Sequence, residues 1–506
     1  MDTKALRQKI LDLAIRGKLV PQDPSDEPAS VLLERIREQK KQMVKEGKLK
    51  AKDIKNDTII FVGEDNLHYE KFQDGSVKCI EDEIPFELPE GWAWCRLNSI
   101  VDVRDGTHDT PTYVDKGIPL ITSKNLVEGG IDYSNVKYIS EKDAISINDR
   151  SGVNIGDILF AMIGTIGNPS MVTEDILISI KNVALFKFTF SKNLSNHFVM
   201  YFLDYAQEDM KNKPSGGLQP FVSLNFLRTY LVPVPPVEEQ QRIVSILADS
   251  INKIRNIDVL KNELTASVKK AKSKILDLAI RGKLVPQDPN AEPASVLLER
   301  IRAEKEELIK QGKIKRDKKE SIIFRGDDNS YYEKIGDEVR CIDEEIPFEI
   351  PDTWIWMRLS SICSLNSGKS IKVRQLTDDG IYPVYGGNGI NGTYSDYNVE
   401  SETIIIGRVG FYCGSIYKTS SKSWITDNAL ITTIKNPNIY NLDFLVNLLI
   451  YLNLGKTSVS TAQPVVSGKG ILHLLVPVPP MKEQLRIISQ INKFSSLIDC
   501  IEESLS

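Results

Sequence analysis

The sequence predicts an α/β (α+β) fold: two globular domains separated by two long antiparallel helices, the whole carrying an internal, circularly permuted repeat with pseudo-two-fold character. Three observations predict it. Matched islands recur along the chain, a long helical stripe with a 3.5-residue period links them, and short β-type runs fill the segments between.

The islands come first. "ILDLAIRGKLVPQDP" occurs at 10–24 and unchanged at 275–289, and 26 of 28 residues agree between 10–37 and 275–302. "EIPFELPEGWAWCRL" (83–97) matches "EIPFEIPDTWIWMRL" (345–359), and "LVPVPPVEEQQRI" (231–243) matches "LVPVPPMKEQLRI" (475–487). The offsets are 265, 262 and 244, so the second copy loses 18 residues between the second and third islands. Residues 98–230 and 360–474 are therefore variable domains of different length in a duplicated frame. The first copy runs from its third island into the second "ILDLAIRG" word. The second copy stops at Ser506, and its missing continuation stands at residues 1–24. A closed two-fold arrangement cut at one corner has this order, and it places the N-terminal helix beside the C-terminal one.

Residues 243–278 read as one helix, with apolar residues from Ile243 to Leu278 averaging 3.5 per step. A similar stripe runs from Ile487 to Leu505. Pro235–Pro236 and Pro479–Pro480 precede these helices and set their entry. Two long helices packed antiparallel account for the stripe; two amphipathic helices buried separately in their own domains are the alternative. At ~1.5 Å per residue the first spans roughly 54 Å, against ~34 Å for one turn of duplex DNA.

The variable domains alternate strand-like runs ("GDILFAM", "NVALFKFTF", "ETIIIGRVG", "NALITTIK") with Gly, Asn and Ser turns, and each has one helical segment near its end, at 196–210 and 442–452. Asn182 matches Asn428 in this register, and Gln219–Pro220 matches Gln463–Pro464. Their loops, including "RDGTHDTPTY", "TSKNL", "SIKN", "SGGLQP", "NSGKSIK", "YPVYGGNGINGTY", "GRVG" and "TDNA", are rich in groups that pair with base edges or admit a phosphate. Each such cluster also reads as a hairpin turn. The Lys/Arg-rich tracts at 38–55 and 303–320 carry interspersed acids and read as solvated helix faces.

Composition narrows the class. Hydrophobic residues make up 41% and charged residues 26%, ordinary for a globular chain. No apolar run reaches the ~20 residues of a membrane span, and the N-terminus lacks a signal-peptide core, so a cytoplasmic location is expected. The six Cys form no C-x-x-C pair and there are four His, which disfavours a metal centre; the matched Cys79 and Cys341 are expected to be buried. A net charge of −5 argues against a protein that simply coats nucleic acid. "SGKS" (367–370) lacks the earlier glycine of a phosphate loop, having Cys363 there, and "GNPSM" (167–171) only echoes an amino-methylation loop. This silence favours a binding protein over a catalyst.

The paired "LVPVPP…EQ" islands, "DVRDGTHDTP" in the first half and "GKSI…YPVYGGNGINGTY…GRVG…SWITDNAL" in the second resemble the DNA-specificity subunit of type I restriction–modification systems and two of its common target recognition domains. The resemblance covers essentially the whole chain. It implies residues 1–37 as the N-terminal part of the frame, 38–235 as recognition domain one, 236–302 as central helix and frame repeat, 303–479 as recognition domain two, and 480–506 as the C-terminal helix. It implies a non-catalytic subunit without a cofactor of its own. Two methyltransferase subunits supply the S-adenosylmethionine chemistry, ATP- and magnesium-using restriction subunits join through the complex, and each recognition domain reads one half of a split double-stranded DNA target. By motif position the expected DNA contacts are Arg104, Thr107, His108, Lys124, Lys181 and Gln219, then Lys369, Tyr385, Asn388, Arg408 and Asn428. The expected partner contacts are Pro235, Pro236, Glu239, Gln240, Arg242, Pro479, Pro480, Glu483, Gln484 and Arg486, with Arg16, Gly17, Arg281 and Gly282 as second choices; helix-start capping is the other reading of the Glu and Gln residues. The rival function is a DNA-modifying enzyme with an unrecognised catalytic motif, and a protein-interaction adaptor is a third.

Overall fold

The 3.5-period stripe folds as helix, and helices of ten residues or more punctuate the chain as α1 (Thr3–Ile15), α2 (Ala29–Lys45), α3 (Glu141–Ser151), α4 (Asn196–Asn212), α5 (Val237–Ile280), α6 (Ala294–Lys310), α7 (Leu442–Leu452) and α8 (Met481–Leu505). The computed structural model describes residues 2–212, 221–313, 320–372, 375–376, 380–457 and 465–505. The chain divides into two units, Asp2–Leu260 and Lys261–Ser506. Among the described residues no helix is long and apolar enough to cross a membrane.

In the first unit α1 runs antiparallel to the opening half of α5, with Thr3 Oγ1 donating to Asp258 at 2.6 Å. In the second, the closing half of α5 runs antiparallel to α8, where Lys272 Nζ lies 3.0 Å from Asp499 and 2.8 Å from Glu502. The helix starts six residues earlier than the stripe predicts, directly after the proline pair. Its seam is also not continuous. Ile243, Leu247, Ile254 and Val268 are buried, but Leu260 and Leu264, expected on the seam, are exposed at 62% and 42%. Each half of α5 has its own short partner, so the middle turns have none of that packing.

The frame islands lock each unit in the same way. The word after α1 ends the helix at Gly17, whose positive φ of 65° lets Lys18 N–H return to the Leu13 carbonyl at 2.7 Å. Arg16 pairs with Asp12 and lies over the Phe86 ring at 4.6 Å; Arg281 pairs with Asp277 and lies over Phe348 at 4.6 Å. Strand Ala93–Arg96 pairs antiparallel with Leu231–Val234, and Ile355–Arg358 with Leu475–Val478.

Between the islands each unit carries two elements. One is a three-stranded meander (Ile59–Val62, His68–Lys71, Val77–Cys79; Ser321–Arg325, Tyr331–Ile335, Glu338–Cys341) that the sequence reading missed. Cys79 and Cys341 sit on its outer strands and are exposed, contrary to expectation, because both faces of so small a sheet cannot be covered. Lys40 also departs from a solvated tract: it is buried 2.5 Å from Asp57. The other element is the variable domain. Its four-stranded sheet has the same order in both units, Gly167–Met171, Ile158–Ala161, Val183–Lys187, Asp102–Asp105 against Ile416–Lys418, Ile404–Gly407, Ala429–Ile434, Cys363–Ser367. A second sheet pairs Ser179–Ile180 parallel to Ile118–Ile121, and Trp424–Ile425 parallel to Tyr382–Gly386. The first domain adds α3, which falls within its extra length. Apolar faces of α4 and α7 complete the two cores, burying Phe198, Phe202 and Leu203 in one and Phe444, Leu448 and Leu449 in the other.

Candidate nucleic-acid interface

In both variable domains the loops that leave the two sheets meet at one edge. In the first, Gly106 N–H donates to the Val183 carbonyl at 3.0 Å, Thr107 N–H to Ile180 at 3.0 Å and Asn182 N–H back to Thr107 at 3.1 Å. In the second, Gly368 N–H donates to Ala429 at 3.1 Å and Lys369 N–H to Ile425 at 2.9 Å. Both glycines are required by close approach. A Cβ on Gly106 would stand 2.3 Å from the Ile180 carbonyl oxygen, and one on Gly368 would stand 2.3 Å from that of Thr426. These bonds place Gly106 where Gly368 stands and Thr107 where Lys369 stands, with Asn182 and Asn428 each directly before the strand whose first carbonyl accepts from the glycine. The sequences differ, so one scaffold presents different side chains at equivalent places.

In the first domain Lys124 and His108 are exposed, and Thr107 and Lys181 half-exposed, on these loops. Lys181 Nζ donates to Thr110 Oγ1 at 2.6 Å. His108 stands between Asn182 Oδ1 (2.9 Å, from Nδ1) and Asp105 Oδ2 (2.9 Å, from Nε2), and these two acceptors raise its pKa. Asp105 also pairs with Arg150. Asn182, Asp105 and Arg150 were absent from the expected set; the structure gives Asn182 a positive φ of 55° directly before strand Val183–Lys187. Arg104 is the exception among the expected residues. Its guanidinium is held by Asp102 at 2.7 Å and the Arg150 carbonyl at 2.9 Å, within the domain. Gln219 lies outside the described residues.

In the second domain Lys369, Asn388 and Asn428 are exposed and Arg408 half-exposed, with Arg408 N–H donating to the Asn428 carbonyl at 2.9 Å. Arg408 Nη1 reaches Ser367 Oγ at 3.4 Å. Tyr385 is a correction. It is 7% exposed in a cluster with Ile405, Ile425 and Ala429, and its hydroxyl accepts from Ser420 N–H at 3.2 Å. The pleat turns it inward, and it offers no edge to a ligand.

The frame residues expected to meet a partner are mostly internal. Pro235, Pro236, Pro479, Pro480, Gly17 and Gly282 are buried. So are Glu239, Gln240, Glu483 and Gln484, each at 1% exposure or less. Gln240 Nε2 donates to the Pro235 carbonyl at 2.9 Å while its Oε1 accepts from Ser195 N–H at 2.9 Å; Gln484 does the same with Pro479 and Asn441 at 2.9 and 2.8 Å. These side chains tie helix start to domain core, which neither a partner contact nor a capping box describes. Burial pushes the Glu239 and Glu483 carboxyls up. Arg486 is exposed; Arg242, held by Asp26, and Arg16 and Arg281 are partly so.

Two loop-presenting domains of one architecture, set in a repeated helical frame and offering unlike hydrogen-bonding groups, define a class of sequence-reading proteins. A family model described as the type I restriction modification DNA specificity domain matches residues 89–266 and 351–506. The chain belongs to this family, the DNA-specificity subunits of type I restriction–modification systems. It is similar to the type I restriction enzyme EcoAI specificity subunit of Escherichia coli, at 29% identity over 97% of this chain and 88% of the relative. It is also similar to the EcoEI specificity subunit of the same organism, at 27% identity over 99% and 90%. The fold is similar to that of a chain solved in work on complex assembly and conformational transition of the type I R-M system, with a TM-score of 0.58, 17% identity, and 83% of this chain and 94% of that chain covered.

Proposed function

We propose that each variable domain reads one half of a bipartite double-stranded DNA target, and that α5 sets the length of the unread gap. The observation that carries this reading is the equivalence of Thr107 with Lys369 on one scaffold, one a hydroxyl and the other an ammonium. Equivalent positions with unlike donors are what two different half-sites require. Thr107, His108, Lys124 and Lys181 serve the first half-site; Lys369, Asn388, Arg408 and Asn428 serve the second.

The subunit is non-catalytic and works in the cytoplasm, without a membrane. Two methyltransferase subunits dock on the repeated frame and use S-adenosylmethionine there, and restriction subunits that use ATP and magnesium join through that complex. Because the matched Glu and Gln residues are buried, docking falls to exposed frame positions, Arg486 among them, with Arg242, Arg16 and Arg281 in support. Affinity from phosphate neutralisation comes largely from the partners, consistent with a net charge of −5. The test is methylome sequencing of a host carrying this chain with its methyltransferase: the reading requires a split motif with a fixed gap. A salt titration of the isolated chain should show only weak binding; tight selective binding by the chain alone contradicts the assignment of affinity to the partners.

A further inference from the structure

Phe411 is 94% exposed, more than any other large hydrophobic residue among those described. It tips the loop between strands Ile404–Gly407 and Ile416–Lys418. A single exposed apolar side chain is ordinary on a protein surface. This one differs because the loop under it is clamped. Gly414 N–H donates to the Gly407 carbonyl at 2.7 Å, Gly407 N–H to Ser415 at 2.8 Å and Cys413 N–H to Gly410 at 3.0 Å, while Cys413 Sγ reaches the Arg408 carbonyl at 3.3 Å. At the base, Arg408 N–H is held by Asn428 and the Arg408 carbonyl accepts from Val466 N–H at 2.9 Å. Positive φ at Gly410 (81°) and Gly414 (84°) makes the two reversals. The ring is therefore held away from the core by built structure, with exposed Tyr412 edge-on to it at 5.2 Å.

The surroundings say what it faces. The loop's neighbours are those that carry the second domain's hydrogen-bonding groups: a Cβ on Gly387 would stand 3.2 Å from the Asn428 carbonyl oxygen and 3.5 Å from that of Val409, and Arg408 meets Ser367 beside Lys369. An apolar ring projecting from among Arg408, Asn428, Asn388 and Lys369 fits a stack of bases, whose faces are apolar and whose edges and phosphates take the flanking donors. Among the described residues the first domain has no counterpart. Its loop Gly164–Gly167 is one residue shorter, with exposed Thr165 where Phe411 stands and Ile166 turned into the core.

We propose that Phe411 inserts into the duplex at the half-site read by the second unit, stacking on an opened base step and adding a shape-dependent element that the first half-site lacks. This rests on the DNA-reading function proposed above.

The test uses the chain assembled with its methyltransferase subunits and a fluorescein-labelled duplex carrying the motif given by the methylome. 2-Aminopurine replaces one base at a time through that half-site, outside the methylated adenine, whose own extrusion would brighten the probe. The wild type is expected to brighten one step. Phe411→Ala loses that signal and weakens binding roughly tenfold, while Phe411→Trp keeps both. Because the ring is exposed, Phe411→Ala melts with the wild type. Affinity unchanged to within about twofold in Phe411→Ala, or a brightened step that persists in it, overturns the insertion. So does failure of Phe411→Ala to assemble with the methyltransferase, which would make the ring a protein contact. Arg408→Ala in the same assay separates the two ideas: lost half-site preference there with normal Phe411→Ala refutes insertion alone, and normal binding by both refutes the reading of DNA by this edge.

Discussion

Gln22 donates to the Glu239 carboxylate at 2.9 Å, joining residues 217 apart in the chain, and Trp92 Nε1 donates to its other oxygen at 3.0 Å. Gln287 and Glu483 repeat the bond at 2.6 Å. In the first copy one carboxylate thus ties all three islands, and in the second Glu483 ties the first island to the third. Glu239→Ala leaves the buried Trp92 Nε1 donor without its acceptor, while exposed Gln22 keeps the Gly17 carbonyl at 2.8 Å, and should cost about 1–3 kcal/mol. Thermal melting should show it, with Glu239→Gln closer to wild type; an unchanged melting temperature would deny the lock.

The "RG" pair at each helix end makes a second prediction. A Cβ on Gly17 would stand 2.4 Å from Pro89 Cγ, and one on Gly282 2.5 Å from Pro351 Cγ, both with left-handed backbone. Gly17→Ala and Gly282→Ala should each lose roughly 2 kcal/mol or more from strain and displacement of the proline. Urea titration of each variant measures it; alanine tolerated at both would refute the close approach.

Acid sensitivity follows from the meander. Arg358 holds Glu333 through bonds of 2.9 and 2.7 Å, pushing its pKa from 4.5 down to about 2. A lowered folded-state pKa contributes stability that is present above pH 4.5 and lost as pH falls toward 2. Glu333→Gln should flatten the acid limb of the stability profile, followed by circular dichroism from neutral pH downwards. Arg358→Met, which leaves the buried carboxylate only Arg340 and Ser321 as partners, should cost about 1–3 kcal/mol at neutral pH.

At the reading edge, Arg408→Ala and Lys369→Ala should weaken target binding by the assembled complex with stability retained. A base contact is worth about 1–3 kcal/mol, so Arg408→Ala relaxes preference in one half-site if it pairs with a base. A phosphate contact instead lowers affinity for all sequences and shallows the salt slope by about one. Fluorescence anisotropy at several salt concentrations distinguishes them, and no change in either quantity removes Arg408 from the interface.

What the sequence made legible was periodic or repeated. The α5 stripe announced a helix, and the shrinking offsets placed the insertion that includes α3. Glu239 and Gln240 misled because first-turn polar residues normally face water; their acceptors and donors lie 5 to 217 residues away, which no local pattern encodes. Tyr385 sits in a Gly/Asn-rich run that suggests a loop, yet strand Tyr382–Gly386 turns it into the core. The meanders were readable in principle from Asn66 and Asn329, which turn with positive φ between short alternating runs. Phe411 carried no sequence signal, since only the clamped loop distinguishes a displayed ring from a buried one.

The most direct measurement exchanges residues 98–230 for the corresponding segment of a relative with a different target, leaving all islands intact, and sequences the host methylome. A frame that seats two independent readers predicts a motif with one half replaced and the other half and the gap unchanged. Replacement of both halves, or a changed gap, would contradict it.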